Sequence, residues 1–245
     1  MSHRAGHGRP PERSVTSHQI TAPTCADDQP VEDEQPVEIE AKLSGPQRAF
    51  RSLAEVEEVA GWRVVARRAV RLRDTYWDTP DDRLLQEGCT LRLREQDGAP
   101  WGELTFKGAA RRETGASRSR VEITARAPAG SGPPEWARLP EAGPVLAELE
   151  RRDALGDLRP AVVLLNPRRE LLLRRGGSEV ALSLDEMRIE GRPYVRRYVE
   201  LELRRGSRAD LEALVQAIRE RFGLRVVYKG KVHAAREWLA RRGHG

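Results

Sequence analysis

From Val37 onward the chain repeats one pattern, short stretches in which apolar side chains alternate with fully charged ones. Successive side chains of a strand point to opposite faces, so a period of two sorts each stretch into an apolar face and a polar face. Val37-Glu38-Ile39-Glu40-Ala41-Lys42-Leu43 is the first case. Comparable stretches run over about Arg63–Trp77, Cys89–Gln96, Glu103–Lys107, Arg118–Arg126, Val162–Arg174, Glu179–Ile189 and Tyr194–Arg204, with a last short one at Leu224–Lys231. The polar face of a half-buried strand is usually a solvated mixture. Here Glu38, Glu40 and Lys42 share one face and Arg92 and Arg94 another. Thr105 with Lys107, Arg120 with Glu122, Ser183 with Asp185, and Glu200 with Glu202 keep the same spacing. Their opposite faces carry Ile39, Leu91, Leu93, Leu104, Phe106, Val121, Ile123, Leu182, Leu184, Val199, Leu201 and Leu203, and these need a cover.

Helical signals supply that cover. Pro46–Val59 places Phe50, Leu53 and Val56 at helical spacing, and a short helical segment follows the Thr79-Pro80-Asp81 turn. A further helix is expected around Val145–Arg151, inside the Pro-containing crossover of residues 128–158. Ser207 reads as the N-cap of a helix through Arg221 that Gly223 ends, and a C-terminal helix reaches about Ala240. Eight or so strands against a few helices predict an α+β fold in which the strands close into an antiparallel β-barrel. With helices outside, the apolar faces point outward and the charged faces converge on a lumen. Charges in a lumen are tolerated when they pair, keep water or bind ions. Clustered Glu side chains suit hard cations such as Mg²⁺ or Mn²⁺. Arg and Lys at period two present donors to phosphate oxygens. Together they describe a site for a metal-chelated polyphosphate.

Composition narrows the alternatives. With 245 residues, 38% hydrophobic and 33% charged, the chain can bury one sizeable core and must still place many ionisable groups. Residues 1–36 hold Pro, Ser, His and an acidic run at Asp27–Glu34 with few large apolar side chains, so they are expected to form a disordered tail, and 37–245 the folded domain. A net charge of +5, from 43 basic and 38 acidic residues, with 5% aromatics argues against a nucleic-acid partner. Cys25 and Cys89 lack metal-ligand spacing, and no apolar run reaches the length of a membrane span, so a cytoplasmic protein with no membrane partner is expected. His233 is expected as a solvated helix residue, Tyr76 and Trp77 as core or cover, and Cys89 as a small apolar strand residue.

The sequence resembles the CYTH domain, the triphosphate tunnel metalloenzyme family. Glu38-Ile39-Glu40-Ala41-Lys42 is similar to its ExExK signature. The likeness continues in family order through Asp74-Thr75-Tyr76-Trp77-Asp78-Thr79-Pro80, Leu91-Arg92-Leu93-Arg94, Leu104-Thr105-Phe106-Lys107-Gly108, Arg120-Val121-Glu122, Leu184-Asp185 and Glu200-Leu201-Glu202-Leu203, and covers about residues 37–240. It implies a closed eight-stranded tunnel, a triphosphate-containing small molecule or polyphosphate as partner, dependence on Mg²⁺ or Mn²⁺, and a monomer or homodimer. By this resemblance Glu38, Glu200 and Glu202 hold the metal that bridges the phosphates, and Glu40 and Glu122 serve a second metal or position water, with Asp185 nearby. Glu40, Lys107 and Glu122 are the expected catalytic residues. Lys42, Arg92, Arg94, Lys107, Arg120, Arg169 and Lys231 are expected to grip the substrate. Thr124 stands where many members carry another acidic residue, and Gly230 precedes Lys231 where a serine is common. Arg168 and Arg169 are adjacent, so only one can face the lumen, and Arg169 is assigned there. The implied activity is metal-dependent hydrolysis of inorganic triphosphate or an organic one such as thiamine triphosphate. A class IV-type adenylate cyclase and a non-catalytic polyphosphate-binding module are the alternatives.

Overall fold

Alternation gives each strand two faces, and only the hydrogen-bond ladder shows whether the strands close. The computed structural model describes Met1 and residues 37–112 and 115–242. The expected N-terminal tail, with Cys25, therefore lies outside the described residues except for Met1. All the elements belong to one unit, Gln35–Gly245. In order they are β1 (Val37–Ser44), α1 (Gln47–Ala54), β2 (Glu58–Val59), β3 (Trp62–Asp78), α2 (Arg83–Gln86), β4 (Thr90–Gln96), β5 (Trp101–Lys107), β6 (Arg111–Arg112), β7 (Ser117–Pro128), α3 (Pro133–Trp136), α4 (Gly143–Glu150), β8 (Arg159–Arg175), β9 (Ser178–Ile189), β10 (Val195–Arg205), α5 (Arg208–Phe222), β11 (Arg225–Val226) and α6 (Lys231–Ala240).

Eight of the strands form a closed antiparallel barrel, running β1, β10, β9, β8, β3, β4, β5, β7 and back to β1. Closure leaves no long open edge. The short strands β2, β6 and β11 are accessory, pairing with β3, β7 and β1 respectively.

The outward faces are buried under helices, as the alternation demanded. Leu43, Leu171, Leu173, Leu182, Val199 and Leu201 pack with Phe50 and Leu53 of α1 and with Leu211, Leu214 and Ile218 of α5. A second apolar group joins Leu91, Leu93, Leu104 and Phe106 to Trp136 of α3 and Val145 and Leu149 of α4. Trp77 meets Trp136 edge-on at 5.1 Å between ring centroids, so it is cover, and Cys89 is buried in the same group. The third group is different. Tyr76, Leu164, Met187, Ile189 and Tyr198 surround Val232 and Ala235, so α6 packs on side chains that share a strand face with Asp74, Asn166, Asp185 and Glu200.

Local chemistry sets the element ends. Ser207 Oγ accepts from the Asp210 N–H at 3.1 Å while the Asp210 carboxylate accepts from the Ser207 N–H, a capping box that starts α5. Gly223, at φ +65°, ends it. The expected helix Pro46–Val59 stops at Ala54. Arg67 donates to the Ala54 and Val56 carbonyls at 2.7 and 2.6 Å, satisfying the helix end. The chain then turns into β2, and the Ala60-Gly61 turn, both residues at positive φ, folds β2 onto β3. The expected strand Leu224–Lys231 is shorter too. It pairs only at Arg225–Val226, and Lys231 is the first residue of α6.

Leu214 has no exposed area and packs from α5 onto the barrel. Leu214→Ala is expected to lower the unfolding free energy by about 2–5 kcal/mol, read from the urea midpoint. Val65→Ala, at a side chain 48% exposed, is expected to stay within about 0.5 kcal/mol.

Candidate functional site

The face of the strands opposite the α1, α3, α4 and α5 contacts lines a cavity of about 820 Å³. Eleven Lys and Arg side chains and seven Glu side chains contribute to its wall. The strand register places the charges in complementary pairs. Across β1 and β7, Glu38 faces Arg120 and Glu40 faces Arg118, and across β1 and β10, Lys42 faces Glu200. Lys107 faces Glu122 across β5 and β7, Arg94 faces Asp74 across β3 and β4, and Arg168 faces Asp185 across β8 and β9.

The side chains complete what the register begins. Lys107 Nζ lies 2.8 Å from Glu38 Oε2 and 2.5 Å from Glu122 Oε2. Arg120 donates to Glu38 at 3.0 Å and to Glu40 at 2.8 Å, and Arg118 reaches Glu40 at 2.9 Å. Lys42 is 2.9 Å from Glu200. Lys231, projecting from the first turn of α6, is 2.7 Å from Glu200 and also pairs with Asp185. Arg94 forms a two-pronged pair with Asp74, both contacts at 2.7 Å. Arg168 forms another with Asp185, at 2.6 and 2.9 Å, and touches Glu200 at 3.1 Å. Such forks fix a guanidinium in plane and aim its remaining donors.

Arg92 is the exception. It is 9% exposed and makes no ion pair among the described residues. Its Nη2 donates only to Thr105 Oγ1, at 3.5 Å, and its Nε has no partner. A nearly buried cation without a direct ion pair is costly, and an anion in the cavity would reduce that cost.

Of the residues selected from sequence, Glu38, Glu40, Lys42, Arg92, Arg94, Lys107, Arg120, Glu122, Glu200, Glu202 and Lys231 all line this cavity. Arg169 does not. Its side chain is 64% exposed and pairs with Glu55 near the end of α1, while Arg168 takes the inward position. Alternation required one of the two to face out, and the ladder pairing Arg168 with Asp185 sets the parity. Asp185 also differs from expectation. Its side chain has no exposed area, and its oxygens are taken up by Asn166, Arg168 and Lys231, which makes it an anchor for cations behind the cavity wall. Thr124, 3.2 Å from Thr105 Oγ1, supplies hydroxyl in place of carboxylate. His233 is half-buried and lines the cavity. Arg118 and Asp74, absent from the expected site residues, also take part in the ion pairs of the wall. Arg118 shares the parity of Arg120 and Glu122, which would have revealed it, whereas the pairing of Asp74 with Arg94 depends on strand neighbours.

The electrostatics divides the carboxylates into two kinds. Burial disfavours ionisation of Glu200, but Lys231, Lys42 and Arg168 outweigh it and hold the carboxyl well below the ordinary range. Glu38 is likewise lowered, with Lys107 and Arg120 overcoming its burial. Glu122 goes the other way, raised by burial and by Glu38 against the pull of Lys107. Glu202 is pushed up to about 7, because burial and the nearby charges of Glu38 and Glu122 exceed the help it gets from Arg204 and Lys107. Among the described residues no three His, Cys, Asp or Glu side chains are gathered closely enough to form a ready-made metal cage. No described helix is long and apolar enough to cross a membrane.

The CYTH domain model matches residues 36–229, and the chain belongs to the CYTH domain family. Solved structures share its fold at low sequence identity. The candidate adenylyl cyclase HpAC1 from Hippeastrum, whose structure is described as revealing a dominant triphosphatase activity, is 15% identical with a TM-score of 0.60, over 82% of this chain and 95% of its own. A candidate adenylate cyclase from Bacillus halodurans is 20% identical at 0.54, over 80% and 95%. The PH1819 protein from Pyrococcus horikoshii OT3 is 20% identical at 0.53, over 82% and 98%. No curated protein matches the chain in sequence.

Glu202 makes a test of the cavity's charge balance. Its folded pKa, about 7, lies above the ordinary value of 4.5, so its contribution to stability is full below about 4.5 and is lost as pH rises through 7. In chelator-containing buffer, Glu202→Gln is therefore expected to raise the melting temperature relative to the unsubstituted protein at pH 8, with the difference shrinking towards pH 5. A pH-independent difference would contradict this charge balance.

Proposed function

We propose that the protein is a divalent-metal-dependent triphosphatase, hydrolysing a phosphoanhydride bond of inorganic triphosphate or of an organic triphosphate such as thiamine triphosphate inside the barrel. The observation that carries this reading is Arg92, a nearly buried cavity cation with no ion pair among the described residues, in a wall where Lys and Arg outnumber Glu. A chain of phosphates is the anion that many convergent guanidinium and ammonium donors fit. Family membership and the triphosphatase activity described for HpAC1 support the same substrate class.

In this reading Lys42, Arg92, Arg94, Lys107, Arg120, Arg168 and Lys231 hold the phosphate oxygens. Asp74 and Asp185 act through Arg94 and Arg168, fixing the planes of the two guanidinium groups. Preorganised donors of this kind stabilise charge on the transferring phosphoryl group at little reorganisation cost. The residues also fit a divalent ion, Mg²⁺ or Mn²⁺. The Lys107 ammonium already lies between the Glu38 and Glu122 carboxylates, so that wall accepts a cation, and its donors are hard oxygens. Glu38, Glu200 and Glu202 would hold the ion. When bound, it would neutralise phosphate charge and acidify water. Glu40 stays ionised beside Lys42 and Arg120 and orients the attacking water. Glu122, with its raised pKa, is the stronger base and accepts the water's proton at its carboxylate.

A phosphate-release screen over triphosphate, longer polyphosphates, thiamine triphosphate and ATP with Mg²⁺ or Mn²⁺ tests the proposal, and no release from any of them overturns it. Cyclic AMP with pyrophosphate from ATP would favour the cyclase reading instead. On the preferred substrate, Arg92→Ala is expected to lower kcat/KM by about 100- to 1,000-fold. Arg168→Ala is expected to fall comparably, while Arg169→Ala stays within about twofold of the unsubstituted enzyme, a surface change away from the cavity.

A further inference from the structure

Lys107 holds a position that its role as a phosphate donor does not explain. Its ammonium bridges Glu38 and Glu122, and it is the one cation with an ion pair to Glu122 among the described residues. Glu38 has a second partner in Arg120, its register neighbour on β7, and that guanidinium is also tied to Glu40. Lys107 is the register neighbour of Glu122, extended on a flexible four-carbon stem. Of the two cations on Glu38, it is the freer to leave.

Resting on the triphosphatase reading, we infer that Lys107 is a resident counter-ion that competes with the divalent metal for Glu38, the carboxylate it holds together with Glu122, and yields it when a polyphosphate enters. Two cations cannot share this wall without strong mutual repulsion. A phosphate oxygen offers the ammonium another anionic partner, so its transfer from carboxylate to phosphate uncovers the carboxylates while a polyanion is present. Metal and polyphosphate binding are then coupled through one side chain, and by linkage each tightens the other by the same factor. The free protein would bind metal weakly, and the metal–polyphosphate pair strongly. Lys107 thus acts on the metal through the charge it leaves at Glu38 or withdraws from it, in addition to its contact with phosphate.

Mn²⁺ binding, measured by the electron paramagnetic resonance signal of free Mn²⁺ and by calorimetry, tests this without turnover. In the absence of phosphate, Lys107→Met and Lys107→Gln are each expected to bind Mn²⁺ at least about tenfold more tightly than the unsubstituted protein, since removing the competing charge exceeds about 1.4 kcal/mol. Lys107→Arg, which keeps the charge, is expected to stay weak. Adding a non-hydrolysable imido analogue of triphosphate is expected to tighten Mn²⁺ binding by a larger factor in the unsubstituted protein than in Lys107→Met. Thermal melting in chelator verifies that each variant is folded. Unchanged or weaker Mn²⁺ binding in both neutral variants, or tightening in Lys107→Arg as well, overturns the inference. Phosphate release by the unsubstituted enzyme reads the proposed function separately: release without tightening sinks only the inference, and tightening without release sinks only the function.

Discussion

The cavity wall is built on charge pairing fixed by strand register. A barrel whose polar strand faces carry full charges is viable only if most of those charges meet opposite ones, because each unpaired ion taken out of water is costly. The antiparallel ladders meet this condition at most positions, setting Glu38 against Arg120, Glu40 against Arg118, Lys42 against Glu200, Lys107 against Glu122 and Arg168 against Asp185, although β10 also sets Glu202 against Glu40. A slip of one residue in any of these strands would send charges into the helix-covered face and apolar side chains into the cavity. The register is thus specified twice, by hydrophobic cover outside and by charge complementarity inside.

The pairing is incomplete, and its gaps are where chemistry is expected. Arg92 makes no ion pair among the described residues, whereas burial, with neighbouring carboxylates added, pushes Glu122 and Glu202 up despite Lys107 and Arg204. One part of the wall calls for an anion and another for a cation. Between the gaps, Asp74 and Asp185 are withdrawn from the cavity surface and serve as rigid seats for Arg94 and Arg168. Helix α6 joins the two kinds of structure. Its Val232 and Ala235 pack on aromatic and aliphatic side chains, and its first residue, Lys231, reaches the Glu200 and Asp185 carboxylates.

Much of this arrangement was legible in the chain. Period-two alternation revealed nearly every barrel strand, the cap signals at Ser207 and Gly223 bounded α5, and same-face parity collected the acidic and basic residues of the wall. The misplacements have a common origin. Arg169 was chosen over Arg168 because adjacent arginines look alike until a partner strand fixes parity. Asp185 was read as open to a cation because its burial behind Asn166, Arg168 and Lys231 depends on three other segments. The early end of α1 depends on Arg67, which comes from the strand beyond the next turn.

The sequence by itself determined the two-faced strands, their charged and apolar sides and the family to which the order of motifs belongs, because side-chain alternation is a local property of an extended backbone. Only the tertiary structure decided which charges neutralise one another, which arginine turns inward and which cation has no ion pair among the described residues. Those outcomes depend on register between strands far apart in the sequence, as with Glu40 and Glu202, and on the burial that closure imposes. Barrel closure converts a repeated local pattern into a small number of unmatched charges.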